Sequence, residues 1–538
     1  MIPTYLYIYL ISGNFQSNYS LYPAICCLYR RAMDLLEPLD WVVICSYLTL
    51  VVGVGIAVSI RSGGSEEFLL AGRSISTPAV FLSLIATELS AATFIGVPQN
   101  AYISASWAYL QFGFGALLAK ILLSRTLVPL YHHLGVKTVY GLIHHRFGSL
   151  PRRCVALAFI VGRILASGVR LYIASIAVVT VTGLPIELAV LVCALFAGAY
   201  SLIGGIRSVI ATDSIQGFIF IVAAISVLWV AIDRIPGGVH ALFDWIETTD
   251  SAKILFWPEG SSVDRGFFWS LLAESRSLPA ALIGGFFLTL ATHGTDHDMV
   301  QRLLTCRDGN SAGRALVVSG VVNLPLTALF LAVGTAITCC WALAPPSYGT
   351  GNGDEILPIF VMHEMPPGLL GLVLAGILAA AMSSLDSAVC AIAATWNVDV
   401  MESPPTRQAK AVRRTTLVIA VVLALSALSF SWLQEYGWAP ADNLVELALS
   451  SMTIIYGALL GVFLCAGFVP RRGSPRSVMG GLLTGIIFGA LLFFQKPLLG
   501  VENPVIAWPW WIVITSSMTL AICAAGVGTN GTEKQVKR

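Results

Sequence analysis

Apolar stretches of about twenty residues follow one another from about Trp41 to about Ala525, each closed by a short polar or charged cluster. Twenty apolar residues in a helix span a hydrocarbon core. Read in such windows, the chain predicts thirteen helices, roughly 40–60, 77–103, 107–131, 151–181, 184–203, 208–232, 278–304, 311–345, 367–400, 411–434, 442–468, 475–495 and 507–527. The pattern implies an all-α polytopic membrane protein. Composition agrees: 57% of the 538 residues are hydrophobic, 11% are charged and the mean hydropathy is +0.81. A net charge of +2 and the absence of long basic runs give no reason to expect a nucleic-acid partner.

The polar residues inside the windows carry more information than the apolar ones. The ninth window contains Gly376-Ile-Leu-Ala-Ala-Ala-Met-Ser-Ser-Leu-Asp-Ser-Ala388, in which Ala380, Ser383, Ser384 and Ser387 share one helix face beside Asp386. That face is a row of oxygens, the ligands hard cations take. The second window holds Ser83-Leu-Ile-Ala-Thr-Glu-Leu-Ser-Ala-Ala-Thr93, then Gly96 and Pro98; the seventh holds Ala291-Thr-His-Gly-Thr-Asp-His-Asp298. Both predict an unwound middle. They open two sets of five helices, 2–6 and 7–11, the arrangement of an inverted repeat with a binding site near the bilayer midplane.

Charge outside the windows sets an expected orientation. Loops after the odd-numbered helices carry Arg61, Arg73, Lys137, Arg146, Arg152, Arg153, Arg207, Arg302, Arg307, Arg314, Arg407, Lys410, Arg413, Arg414, Arg471 and Arg472, against Arg234, Lys253, Arg265, Arg276 and Lys496 on the other side. The positive-inside rule then puts the N-terminus outside and the C-terminus in the cytoplasm of a multi-pass cell-membrane protein. The external segment of about 233–277 predicts a cap with a short helix. Residues 1–32, with a short apolar run and Arg30-Arg31, read as a mispredicted or disordered extension. Residues 33–528 read as one membrane domain, with repeats at about 77–232 and 278–468, and 529–538 as a cytoplasmic tail. The eleven cysteines show no disulfide or zinc spacing.

Four stretches resemble the sodium:solute symporter family of sodium/sugar, sodium/proline and sodium/monocarboxylate carriers. They are Phe68-Leu-Leu-Ala-Gly-Arg73, Gly204-Gly-Ile-Arg-Ser-Val-Ile-Ala-Thr-Asp-Ser-Ile-Gln216, Val300-Gln-Arg302 and Ala379-Ala-Ala-Met-Ser-Ser384. The resemblance implies a Leu-transporter-type inverted five-helix repeat and a sodium ion between helices two and nine. Its ligands by position are the carbonyls of Ala86, Leu89 and Ala380 and the hydroxyls of Ser383 and Ser384; the alternative for these serines is a bond to their own i−4 carbonyls. An acid at Asp213, with Asp386 and Ser387, implies either a second sodium or a proton, whereas helix capping is the structural alternative for Asp213.

Solute contacts implied by position are Glu88, Ser90, Thr93, Gln111, Thr289 and Thr292. Glu88 and Thr292 depart from the residues of sugar carriers. Arg163 and Arg170 share one face of helix four; Arg170 either anchors a solute carboxylate or neutralises Glu88, and Arg163, Lys120 and Arg125 are read as snorkelling. The function expected is sodium-coupled symport of a small polar organic solute by alternating access, by a monomer in the lipid bilayer, with no cofactor beyond Na+ and no enzymatic activity. A solute sensor on the same fold is the alternative, and the short tail speaks against an output domain. No catalytic residue is expected: His293, Asp296 and His297 are assigned to the helix break.

Overall fold

The computed structural model describes residues 36–59, 65–257, 266–350, 355–435, 444–501 and 504–527. The extension expected at 1–32 and the tail at 529–538 lie outside the described residues. In chain order the helices are α1 (Pro38–Ser59), α2 (Ser65–Leu70), α3 (Thr77–Glu88), α4 (Ala91–Ser104), α5 (Leu110–Arg125), α6 (Leu127–His133) and α7 (Gly141–Phe147). Then follow α8 (Ser149–Thr182), α9 (Ile186–Asp233), α10 (Gly238–Thr249), α11 (Gly266–Ala273), α12 (Leu278–Gly294), α13 (His297–Leu304) and α14 (Gly309–Leu343). The last are α15 (Ile356–Glu364), α16 (Leu369–Thr395), α17 (Pro405–Glu435), α18 (Leu444–Phe468), α19 (Pro475–Phe493), α20 (Gln495–Leu499) and α21 (Trp508–Ala525).

Ten helices among the described residues are long and apolar enough to cross a membrane, and two bent pairs raise the total to twelve. The shorter apolar stretch Ile186–Leu195 corresponds to the remaining window. It belongs to α9, where the two expected helices meet at Gly205, whose φ of 60° is open to glycine but strained for other residues. A Cβ there would also sit 2.7 Å from the Phe68 carbonyl oxygen.

Both broken windows bend where the sequence predicts. α3 and α4 meet at 57° and α12 and α13 at 60°. Leu89 and Ser90 are extended between the first pair, and Thr295 and Asp296 leave the helical region between the second. The Asp296 carboxylate caps α13 by accepting from the Asp298 amide at 2.8 Å. A helix hydrophobic all round belongs in the interior. So α16 and α18 are central, each 83% buried over its apolar window, while α1, at 22%, is peripheral.

Small residues let helices approach backbone to backbone. On α5 and α12 a Cβ at Gly115 would lie 2.2 Å from the Leu282 carbonyl oxygen, and one at Gly285 would lie 2.5 Å from that of Phe112. At one end of the bundle the odd-numbered loops meet. Arg73 donates to the Val136 carbonyl, Arg146 to those of Val469 and Pro470, and the Ile75 amide to Thr305.

Candidate cation and solute site

The break after α3 releases the two carbonyls named by position. In an uninterrupted helix the Ala86 oxygen would accept from the Ser90 amide and the Leu89 oxygen from the Thr93 amide. Here the Ser90 amide donates to Thr93 Oγ1 at 3.4 Å, and the Thr93 amide donates to the Ser90 carbonyl at 2.9 Å. Across from the break, the Ser383 hydroxyl donates to Asp213 Oδ1 at 2.6 Å and lies 3.4 Å from the Ala86 oxygen. Ser384 is fully buried, and its Oγ has no hydrogen-bond partner among the described residues. Only Ser387 returns its hydroxyl to an i−4 carbonyl, that of Ser383, at 2.8 Å. A buried hydroxyl without a partner costs about 1–3 kcal/mol, and a cation taking its lone pair removes that cost. Freed carbonyls and two serine oxygens form a donor set that fits a hard cation such as sodium.

Asp213 is buried well within the fold. It accepts from Ser83 at 2.6 Å, from Ser383, and from Arg302 Nη2 at 3.0 Å. This overturns the helix-capping alternative. By receiving the Ser383 proton, Asp213 orients that hydroxyl so that its lone pairs face away from the carboxylate. Arg302 also donates to Asp298 Oδ1 at 2.7 Å, Arg163 is paired with both Asp298 and Asp296, and Tyr456 donates to Asp296 at 2.6 Å. Asp213, Asp296 and Asp298 thus face Arg163 and Arg302, with Arg170 near enough to act on Asp296 and Asp298 as well. Asp386 is buried and accepts from the Ser387 amide at 2.6 Å. Ser387 reaches Asp298 at 3.4 Å. The expectation that Arg163 snorkels is therefore corrected: it is wholly buried between carboxylates 133 and 135 residues away.

Glu88, the last residue of α3, is held by a second charge cluster. Lys120 donates to both of its carboxylate oxygens at 2.7 Å, His293 Nε2 lies 3.1 Å from one, and Ser319 donates to it at 3.3 Å. Lys120 does not snorkel; it is 1% exposed and ion-paired. Nor does Arg170 neutralise Glu88. One Arg170 amine faces Met452 Sδ at 3.8 Å, and the other, Nη1, is buried without a partner among the described residues.

Thr93 donates weakly to the Glu88 carbonyl at 3.5 Å, Thr292 pairs with His293 Nδ1 at 2.9 Å, and Thr289 lies one turn before it on α12. These residues and Ser90 surround the two breaks. Gln111 is elsewhere engaged: it donates to the carbonyls of Ala108 and Arg276 and accepts from the Phe256 amide, tying α5 to the segment around α10 and α11. Sequence reasoning missed Lys120, His293, Ser319, Arg163, Asp298 and Arg302 as site neighbours. For Lys120, Arg163, Asp298 and Arg302 the signal was the cost of charge inside an apolar window; Ser319 carries no such signal.

Comparison with known proteins adds a lineage to this geometry. A sodium-coupled sialic acid symporter in a substrate-bound, outward-open state superposes with a TM-score of 0.77 at 22% identity, over 91% of this chain and 97% of that one. A nucleobase-cation-symport-1 family transporter in a closed conformation gives 0.53 at 12% identity over 88% and 98%. Both likenesses are of fold, and the fold is the inverted five-helix repeat. In sequence the chain is 27% identical to the sodium/sialic acid symporter NanT of Aliivibrio fischeri, over 83% of this chain and 86% of the relative. It is also 27% identical to the human sodium/iodide cotransporter, over 83% and 68%, and 25% identical to human sodium-coupled monocarboxylate transporter 1, over 82% and 71%. Residues 68–487 match the family model itself, and the chain therefore belongs to the sodium:solute symporter family.

Proposed function

We propose that this protein carries a small organic anion, a carboxylate, into the cell with sodium by alternating access. The observation that supports sodium coupling best is the orphaned Ser384 hydroxyl, adjacent in sequence to the Ser383 that reaches a helix break whose carbonyls have lost their helical donors. In this reading Ala86, Leu89, Ala380, Ser383 and Ser384 hold one sodium. Binding there ties α16 to the break and favours the state in which Ser90, Thr93, Thr289 and Thr292 are arranged for solute.

Arg170 supports the carboxylate. Its unpartnered guanidinium nitrogen is the kind of donor that a planar carboxylate satisfies, whereas Glu88 already has its cations. The relatives named for sialic acid, iodide and monocarboxylates point to anionic cargo as well.

Magnitudes favour a second ion. A sodium ion entering down a tenfold gradient supplies about 1.4 kcal/mol, and about 100 mV adds about 2.3 kcal/mol per net charge. One sodium with a neutral solute sustains roughly five-hundredfold accumulation, but with a monoanion the charges cancel and only about tenfold remains. Two sodium ions with a monoanion restore one net charge and reach roughly five-thousandfold. The buried carboxylates of Asp213 and Asp386, with Ser387, are where this reading puts the second cation.

Domain bounds of 33–528, an external N-terminus, a cytoplasmic C-terminus and action as a monomer in the bilayer complete the proposal. The meeting of the basic odd-numbered loops at one end of the bundle supports the orientation. The test is uptake by proteoliposomes under an imposed sodium gradient, across sugars, amino acids and carboxylates. Sodium-dependent uptake confined to carboxylates is expected; binding without uptake would move the protein to the sensor class.

A further inference from the structure

We propose that an anionic phospholipid occupies a specific site between the two repeats, with one acyl chain in an apolar chamber and its phosphate on arginines at the rim. The chamber has a volume of about 200 Å³. Its walls are Leu123 and Leu127 at the α5–α6 junction, Leu290 of α12, and Leu460, Leu464 and Phe468 of α18. Thr126 is the one hydroxyl in the lining, and it is spent on the Leu122 carbonyl at 2.7 Å. A cavity without polar partners does not hold ordered water, and apolar matter is what fills it.

The chamber opens toward lipid. Leu122 is 39% exposed, Leu118, one turn earlier, 57%, and Phe468, at the end of α18, 46%. Charge then selects the kind of lipid. Arg125 lies one turn after Leu122 on the same face of α5, and Arg471 and Arg472 follow Phe468 by three and four residues. All three are exposed, and among the described residues none has a carboxylate within ion-pair distance. Arg146, which crosses to the Val469 and Pro470 carbonyls, holds the loop carrying two of them beside the bundle. Unpaired arginines at the rim of an apolar cleft between membrane helices, on the basic face, match a lipid phosphate with its chain attached. The site also touches the transport machinery: Leu290 is one turn before the break at Gly294, and a Cβ on Gly294 would approach Leu123 to 2.9 Å.

The test uses the purified full chain, delipidated in detergent and titrated with phosphatidylglycerol or phosphatidylcholine of identical chains, read by native mass spectrometry and thermal melting. One retained phosphatidylglycerol is expected, and Arg125→Gln should cut the preference over phosphatidylcholine about fivefold, the weight of one arginine near a lipid surface. Leu464→Trp, which fills the chamber, should abolish retention of both lipids. Should that variant fold poorly, Leu290→Phe should weaken both in the same way. Equal retention by the filled variants, no preference in the wild type, or the same thermal shift with soluble glycerol phosphate would each overturn the site.

Discussion

The two broken helices bend alike, by 57° and 60°, yet their breaks are opposite in chemistry. At the first, between α3 and α4, the backbone is left wanting: the Ala86 and Leu89 carbonyls have lost their helical donors, and on α16, next to the Ser383 that reaches the Ala86 oxygen, Ser384 has no partner among the described residues. At the second, between α12 and α13, the carboxylates are already spoken for, while both ring nitrogens of the buried His297 have no hydrogen-bond partner among the described residues. Asp296 caps α13 and binds Arg163 and Tyr456, and two residues on Asp298 binds Arg163 and Arg302. A break with freed backbone carbonyls can take a cation; one whose carboxylates are already matched to arginines is a structural joint. Near-symmetry of fold therefore does not carry symmetry of role.

Arg302→Met would break that comparison most forcefully. Removing one partner of a buried ion pair costs about 3–5 kcal/mol, so folded yield and melting temperature should fall sharply, whatever the sodium concentration. Lys120→Met should follow at about 3 kcal/mol, since Glu88 keeps His293 and Ser319. Adding Glu88→Gln should recover most of the loss, and a double-mutant cycle in thermal melts reads that coupling. Arg170→Gln should leave melting nearly unchanged but lower uptake of carboxylates by roughly tenfold to a hundredfold, the worth of a charged hydrogen bond, while sparing neutral analogues. Uniform loss across solutes would return Arg170 to a packing role. The gentlest is Ser384→Ala, which should raise the sodium concentration for half-maximal uptake roughly tenfold, with an unchanged melt. An unaltered sodium requirement there would remove the first break's claim to be an ion site.

Spans, both breaks and the serine face of α16 were legible in the sequence because each is a local signal: a window of apolar residues, a cluster of Gly and Pro, a helical spacing. Ser383 and Asp213 could be named, though not their direct bond across 170 residues. Lys120 and Arg163 were misread for a physical reason. A lone cation in an apolar helix looks the same whether its stem reaches for the interface or its head meets an acid, and the acids that decide the matter stand on other helices. Gln111 illustrates the converse, a well-placed polar residue whose partners, Arg276 and Phe256, belong to the segment around α10 and α11, with no periodicity to advertise them.

The glycine contact between α5 and α12 limits how the machine is partitioned. With Gly115 against the Leu282 carbonyl and Gly285 against that of Phe112, a helix from each repeat is seated with no side chain between to act as a bearing. These two helices are one mechanical part. A rocking motion that treated the repeats as separate bodies would have to pry that seam open. On that seating Lys120, carried by α5, and His293, carried by α12, are expected to stay together on the Glu88 carboxylate through the transport cycle.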